Sequence, residues 1–542
     1  MVSRIINKNI QIYSYPNEFE TCSGSLTIGD LHGNPVKALH ILFRHKIIKF
    51  KEDVQSPHSV YEQFVKIYDQ FGEILQICLE NKTLQHFQKV KIENCLAQIA
   101  HINQKLMLLD SQSDQYQLLK QDKQQWFDKL SSTTSSNKLI EERFKEIKDQ
   151  VVHLIGQFNS LMDKLEINNH KVLIRFLGDE FADRGNCDYL TLRILDFLTT
   201  NDLKTTHLLS NHGCEFIYAY EKMVQSSVFE NAGFIPDFQT QSIQGLKLLL
   251  DNNVISCEKL TTLINRSFKP SLKILDYTLN EHGISLFTHA PVRFDSIELL
   301  ARRLDVIYDG STKEALGRTI DQINHQFSSF VNSNNIHTLF STAEIKDVAH
   351  MTAEERVAWP AVYLTWNRWT AMKDIEETRP AGKNGYSLTY VHGHDIFESK
   401  LAYVHNLDTL CGKEAHKLED KKIDEYMKFL MDHKYNVGDT TEAEYYMRNV
   451  LRYKVIDSDE YGLRSKLIKS QSSEKKSSQE DFDADGSIKK LSKLGEPVSS
   501  AVVVITIEEN KVLPIFNPQD SSITTINFNS HTTESNFFTA GQ

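Results

Sequence analysis

With 542 residues, the chain exceeds what one hydrophobic core organises, so roughly two to four structural units are expected. Hydrophobic residues at 40% and charged residues at 25% are ordinary for a folded soluble protein, which excludes disorder or membrane embedding throughout. A formal charge of -11, without a sustained Lys/Arg run interleaved with aromatics, excludes nucleic acid as an expected partner.

The seven cysteines (Cys22, Cys78, Cys95, Cys187, Cys214, Cys257 and Cys411) form no CxxC pair. Reduced thiols in a cytosol-like compartment are expected, and thiolate zinc sites are not. The N-terminus lacks an apolar core followed by a small-residue cleavage site, and no stretch reaches the ~18 apolar residues of a membrane span. Neither a Sec signal nor a transmembrane segment is therefore expected.

In chain order, Ser25 to Ile28 reads as a strand, GDLHGN as a turn, and the segment from Pro35 as a helix carrying Val36, Leu39, Ile41 and Leu42. Apolar residues then fall at Val60, Phe64, Ile67, Phe71, Ile74 and Cys78, at Ile92, Cys95, Ile99, Ile102, Leu106 and Leu109, and at Ile140, Phe144, Ile147, Val151, Leu154, Phe158, Leu161 and Leu165. This alternating four-three spacing is a coiled-coil seam, so 55–167 reads as a helical hairpin or small bundle, with SSTTSSN at 131–137 as a connecting loop. Ordinary bundle core accounts for the pattern as well as a partner-binding role does.

From 171 the period changes to short apolar runs, Val172 to Leu177, His207 to Leu209, Ile284 to Phe287 and Leu388 to Val391, separated by helical segments such as Tyr189 to Leu198 and Ile297 to Val306. An α/β layered sheet core follows. After about 400 the pattern reads as helical again, with Ile423, Tyr426, Met427 and Leu430, then Tyr445, Met447 and Leu451. Residues 466–497 are Ser- and charge-rich, as in a flexible linker, and a small β element at 501–507 and 512–516 precedes a polar tail. The expected units are thus 1–54 and 168–400 for the two parts of the core, 55–167 for the helical insertion, 401–465 for a mostly helical C-terminal extension, 466–497 for the linker and 498–542 for the remainder.

Five segments each place polar residues just after an apolar strand: GDLHGN at 29–34, GDEFADRG at 178–185, SNH at 210–212, THA at 288–290 and VHGHD at 391–395. Carboxyl ends of strands are where sites assemble in open α/β sheets. Aspartate and asparagine oxygens with imidazole nitrogens, and no thiolate, suit two divalent or trivalent first-row ions, with Mn expected and Fe or Zn as alternatives. One carboxylate can bridge two such ions.

The ordered set GDxHG, GD…DRG, NH, H and GH resembles the phosphoprotein-phosphatase family of calcineurin-like metallophosphoesterases, over residues 22–45 and 170 to about 400. The resemblance implies a calcineurin-like core, metal ligands at Asp30, His32, Asp179, Asn211, His289 and His394, and a bridging role for Asp179. It favours His394 over His392 in VHGHD. It makes Arg184 and Asn211 contacts for the substrate phosphate, His212 a proton donor to the leaving group, and Asp183 the partner of that histidine. Arg368 in LTWNRW is the candidate for a second phosphate-binding arginine, with stacking on Trp366 or Trp369 as the alternative.

Two departures stand out. GDEFADRG has three residues between GD and DRG where the eukaryotic family has two, and Gly213 follows His212 where that family has glutamate. Asp30 and Asp179 also lie much farther apart than a βαβ crossover needs, so the helical segment is an insertion. GDxxxDRG, a helical insertion and a long C-terminal extension together resemble the Wip-type effector phosphatases that intracellular bacterial pathogens deliver through a type IV secretion system. That resemblance implies export from the bacterial cytoplasm into a host cell, and a host protein bound by the insertion or the extension.

The expected function is hydrolysis of phosphoserine and phosphothreonine in a phosphoprotein substrate, by attack of a metal-bridging hydroxide. Phosphotyrosine hydrolysis on the same fold, nucleotide or dinucleotide polyphosphate hydrolysis, and a host-protein-binding adaptor are the alternatives.

Overall fold

The computed structural model describes residues 4–340, 351–368, 375–395, 399–413, 436–437, 440–441 and 452–459. The chain divides into two units, Met1–Ser478 and Gln479–Gln542, and all the described residues belong to the first. The expected linker, the small β element, the polar tail and the helix-like positions Ile423, Tyr426, Met427, Leu430, Tyr445, Met447 and Leu451 lie outside the described residues.

The strands in chain order are β1 (Arg4–Asn9), β2 (Ser25–Ile28), β3 (Ile48–Phe50), β4 (Leu165–Ile167), β5 (Leu173–Phe176), β6 (Lys204–Leu208), β7 (Leu272–Lys273), β8 (Asp276–Leu279), β9 (Gly283–Phe287), β10 (Gly382–Lys383), β11 (Tyr386–His392), β12 (Val404–Asn406), β13 (Asn436–Val437), β14 (Thr440–Thr441) and β15 (Arg452–Ser458). The first five helices are α1 (Pro35–Arg44), α2 (Pro57–Leu106), α3 (Asp114–Met162), α4 (Asp188–Thr200) and α5 (Asn211–Ser226). The result is a mixed α/β fold with a helical insertion. Among the described residues no helix is long and apolar enough to cross a membrane.

One sheet runs β1-β15-β2-β5-β6-β7, and β2, β5, β6 and β7 are parallel. The other runs β10-β11-β9-β8, with β12 alongside β11 and with β9, β11 and β12 parallel. The sheets meet through Leu177, Leu208 and Ile456 from the first and Phe287, Val391 and Leu407 from the second, all buried in one apolar cluster. Arg175 of β5 crosses this interface: its Nε donates to Asp276 Oδ2 of β8 at 2.8 Å, and its guanidinium lies 3.9 Å from the Phe287 ring centroid.

Within the segment expected to be a mostly helical extension, Arg452–Ser458 is β15, which lies antiparallel between β1 and β2, inside the first sheet. Tyr453, Val455 and Ile456 are all buried, as a strand covered on both faces requires. A seven-residue run with so few apolar positions carries little periodicity of its own, and its pairing partners come from the other end of the chain.

The insertion is a helical hairpin. α2 starts with Pro57 in its first turn, and α3 is capped by Ser113, whose side chain accepts from the Tyr116 N–H. Val60, Phe64, Ile67, Phe71, Ile74 and Cys78 are buried against Ile147, Val151, Leu154, Phe158 and Leu161, with Phe64 and Phe158 edge to face at 5.5 Å. At its base the antiparallel pair β3 and β4 ties entry and exit together, Ile48 facing Ile167 and Phe50 facing Leu165.

The turn of the hairpin falls between Leu106 and Asp114, and the expected loop at 131–137 lies within α3. There the hydroxyls of Thr133, Thr134, Ser135 and Ser136 donate to the carbonyls of Lys129, Leu130, Ser131 and Ser132, four residues back, at 2.8 to 3.0 Å. Side chains that compete for backbone partners in a loop are here satisfied inside the helix.

Candidate metal centre

All five sequence motifs converge at the carboxyl ends of parallel strands. Asp30 and His32 follow β2, residues 178–185 follow β5, Asn211 and His212 open α5 after β6, His289 follows β9, and His394 follows β11. His32, Asp179 and His394 have φ of 59°, 55° and 56°, left-handed turn geometry that ordinary side chains adopt only where surrounding bonds enforce it. Those bonds are present. The Gly33 N–H donates to the Asp179 carbonyl at 2.9 Å, the Asp179 N–H donates to Ser210 Oγ at 3.0 Å, and the His394 N–H donates to Asp30 Oδ2 at 3.0 Å. Gly393 must be glycine, because a Cβ there would collide with Asp30 Oδ1.

Two sets of ligand atoms result, Asp179 with His289 and His394, and Asp179 with His32 and Asp183, and Asp179 belongs to both. His289 Nδ1 faces the Leu177 carbonyl at 2.9 Å and so carries the proton, which leaves Nε2 turned toward Asn211 Oδ1 at 2.9 Å and Asp179 Oδ1 at 3.6 Å. The His289 and His394 rings lie 4.8 Å apart. Burial pulls the pKa of both histidines down, with Arg368, His289 and His212 adding repulsion at His394, so both rings favour the neutral form that ligates metals. Asp30 joins neither set; its Oδ1 lies 4.0 Å from His289 Nδ1.

Orphaned acceptors show that the site fits cations. Asp30 Oδ1, Asp179 Oδ1, His394 Nε2 and Asp408 Oδ1 are all buried without a hydrogen-bond partner. Burial, then Asp408 and Asp179, push the Asp30 pKa well above the usual carboxylate range. Carboxylates so crowded repel one another, and cations, if bound, would remove that repulsion while satisfying the orphaned atoms.

Asp183, Arg184 and His212 form a second group beside the first. His212 Nδ1 donates to the Ala182 carbonyl at 2.5 Å, which leaves Nε2 3.6 Å from Asp183 Oδ1. The other Asp183 oxygen is 3.1 Å from His32 Nδ1, and Arg184 Nη1 donates to Oδ1 at 3.0 Å. Burial opposes ionisation of Asp183, but His212, His32 and Arg184 outweigh it and hold the carboxyl well below its usual range. Arg184 remains one-fifth exposed, at the surface of the site.

The extra residue in GDEFADRG is absorbed inward. Glu180 Oε1 is 2.9 Å from Nδ1 of the fully buried His207, Phe181 stacks on Phe216 at 4.3 Å, and the Asp188 carboxylate accepts the Ala182 N–H. The loop spends its added length in the core, and Arg184 still reaches Asp183. Arg368 is exposed and donates from Nη1 to the His394 carbonyl at 2.6 Å, while Trp369 lies outside the described residues. His392 points elsewhere: Nδ1 is 2.9 Å from the Gly393 carbonyl oxygen and Nε2 is 3.5 Å from Arg379 Nη1.

Glu215, the acid nearest to the position where the eukaryotic family has glutamate, instead clamps a neighbouring loop by accepting the Gly233 and Phe234 N–H groups. Burial pushes its pKa up to about 7, against the lowering effect of those donors. A raised folded pKa means that the folded chain holds a proton which the unfolded chain has lost. The associated stability is complete below the unfolded value of 4.5 and is lost as pH rises through about 7. Glu215→Gln should therefore show a smaller fall in Tm between about pH 5 and about pH 8 than the parent protein. Superimposable Tm profiles would contradict this assignment.

Several contributors have no motif in the sequence. Asp408 and Thr409, just after β12, flank His32 at 3.4 Å and 2.8 Å. Buried Lys37 donates to the Asp30 carbonyl at 2.6 Å, and Ser242 Oγ accepts the Asp183 N–H at 2.9 Å. A polar residue following a short strand was the available signal for Asp408; for the others there was none.

Residues 173–413 match the family model described as "WipA-like, phosphatase domain", and residues 59–162 match "WipA, alpha-helical hairpin". Among solved structures, the crystal structure of the phosphatase domain from the Legionella effector WipB is similar at 24% identity and a TM-score of 0.47, covering 69% of this chain and 99% of that one. No curated protein matches the chain. The chain therefore carries, in this order, a segment similar to the WipA α-helical hairpin and a segment similar to the WipA-like phosphatase domain.

Proposed function

We propose that the chain is a two-metal phosphatase that hydrolyses phosphoryl monoesters on protein side chains. The observation that carries this reading is the pair of ligand sets sharing Asp179, next to the Asp183–His212–Arg184 group. The likeness of residues 173–413 to a phosphatase domain supports it. The ions, when bound, would be held by Asp179, His289 and His394 on one side and by Asp179, His32 and Asp183 on the other, and would supply Lewis acidity toward water and the phosphoryl group.

The chain's own groups do the rest. With Nη1 on Asp183, Arg184 keeps its other donors for phosphoryl oxygens. His212 is fixed through Nδ1, so the proton it can deliver to the leaving oxygen sits on Nε2, 3.6 Å from Asp183 Oδ1. Asn211, whose Oδ1 lies 2.9 Å from His289 Nε2, completes the group on that side.

The test is turnover of matched phosphoserine, phosphothreonine and phosphotyrosine peptides, with diadenosine polyphosphate as a comparison, after chelation and again after Mn²⁺ is restored. Phosphopeptide turnover should vanish on chelation and return with Mn²⁺, and the peptide panel decides between serine/threonine and tyrosine specificity. Full activity in chelator, or in Asp179→Asn, would overturn the metal reading. Turnover of the dinucleotide alone would overturn the protein substrate.

A further inference from the structure

His32 is gripped from a strand that none of the metal motifs supplies. Its ring is buried, with Nε2 2.8 Å from the Thr409 carbonyl oxygen. A carbonyl only accepts, so Nε2 carries a proton, and in the neutral ring that a metal requires the lone pair sits on Nδ1. Nδ1 is the nitrogen that faces Asp183 Oδ2, at 3.1 Å. That is the spacing of two neighbouring ligands each held about 2.1 Å from one ion. His32 is thus arranged to ligate through Nδ1.

Asp408 lies on the opposite side of the ring. Its Oδ1 is buried, has no hydrogen-bond partner and is 3.4 Å from His32 Nε2. The segment that carries it is fastened to the other metal-binding strand: the Asp408 N–H donates to Asn406 Oδ1, Asn406 Nδ2 donates to the Asp395 carbonyl, and the Leu407 N–H donates to the His392 carbonyl. A carboxylate behind a ligating imidazole fixes the ring and raises its basicity.

We propose that Asp408 is a positioning residue of the metal centre: with the Thr409 carbonyl it locks His32 in the Nε2–H tautomer, so that Nδ1 faces the ion, and its charge strengthens cation binding at the His32–Asp179–Asp183 position. This rests on the two-metal reading above. It predicts that loss of the Asp408 charge weakens one of two ions and spares the other.

The experiment is Mn²⁺ titration calorimetry and bound-metal analysis on the full chain after chelation, for the parent protein, Asp408→Asn and Asp408→Glu. The parent should bind two ions. In Asp408→Asn one site should weaken roughly 10- to 100-fold while the other keeps its affinity, and the unfolding midpoint of the metal-free protein should not change. Asp408→Glu, which keeps the charge, should retain most of the affinity and covers the case in which the asparagine variant folds poorly. Two sites of parental affinity in Asp408→Asn would overturn the proposal, as would equal weakening of both sites with a fall in metal-free stability. A parent protein that binds no Mn²⁺ would instead strike the two-metal reading itself.

Discussion

Replacing His212 with alanine should lower kcat on an alkyl phosphomonoester by about 10² to 10⁴, the range that a positioned general acid contributes. The geometry specifies how the loss should vary. Because Nδ1 is tied to the Ala182 carbonyl, Nε2 is the nitrogen left for the leaving oxygen in the proposed reaction, and the ring is absent from both ligand sets. An alkoxide needs a proton to depart, whereas a nitrophenolate is stable without one. The defect should therefore be large on phosphoserine-like substrates and much smaller on p-nitrophenyl phosphate, with bound Mn²⁺ unchanged in both cases. Steady-state kinetics on the two substrates, with metal analysis of the same preparations, decides the matter. Equal losses on both, or loss of metal, would remove His212 from the proton-donor role.

How much of this centre could be read from the sequence depended on how local each signal was. Asp30, His32, Asp179, Asn211, His289 and His394 each follow a short apolar run, so strand periodicity and ligand chemistry coincide within a few residues. The hairpin seam was legible for the same reason, since Val60, Phe64, Ile67 and Phe71 repeat at one helical spacing and are all buried. The Ser/Thr run at 131–137 misled because its hydroxyls find partners four residues back, something composition does not reveal.

Other features depend on partners far along the chain. Asp408 is an unremarkable acid until β12 delivers it to His32, and β15 becomes a strand of the first sheet by pairing with β1 and β2 from the other end of the chain. The residues of GDEFADRG do not by themselves say where the extra length goes. Only the buried His207 beneath Glu180 shows where the added length goes.

Removing the Arg175 guanidinium should destabilise the fold by about 3 to 5 kcal/mol, the range for breaking a buried ion pair by removing one member. Arg175 and Asp276 are fully buried between the sheets, 2.8 Å apart, and Arg175 Nη1 also donates to Thr27 Oγ1 at 2.9 Å. Arg175→Met keeps much of the volume but takes its guanidinium away from the buried Asp276 charge, which keeps Lys273 Nζ 2.9 Å from Oδ1. Adding Asp276→Leu removes that buried charge, and Lys273, about one-quarter exposed, can turn to water. The double variant should then recover more than half of the loss in urea unfolding, because a well-packed apolar pair can replace a buried ion pair at little cost. The pair also ties together the strands that carry the proposed metal ligands, since Arg175 lies four residues before Asp179 on β5 and its connection, while Asp276 pairs with Phe287 two residues before His289. Arg175→Met should therefore weaken Mn²⁺ binding even under conditions where it is fully folded. A single variant that unfolds like the parent would show that apolar packing alone, without this ion pair, holds the two sheets together.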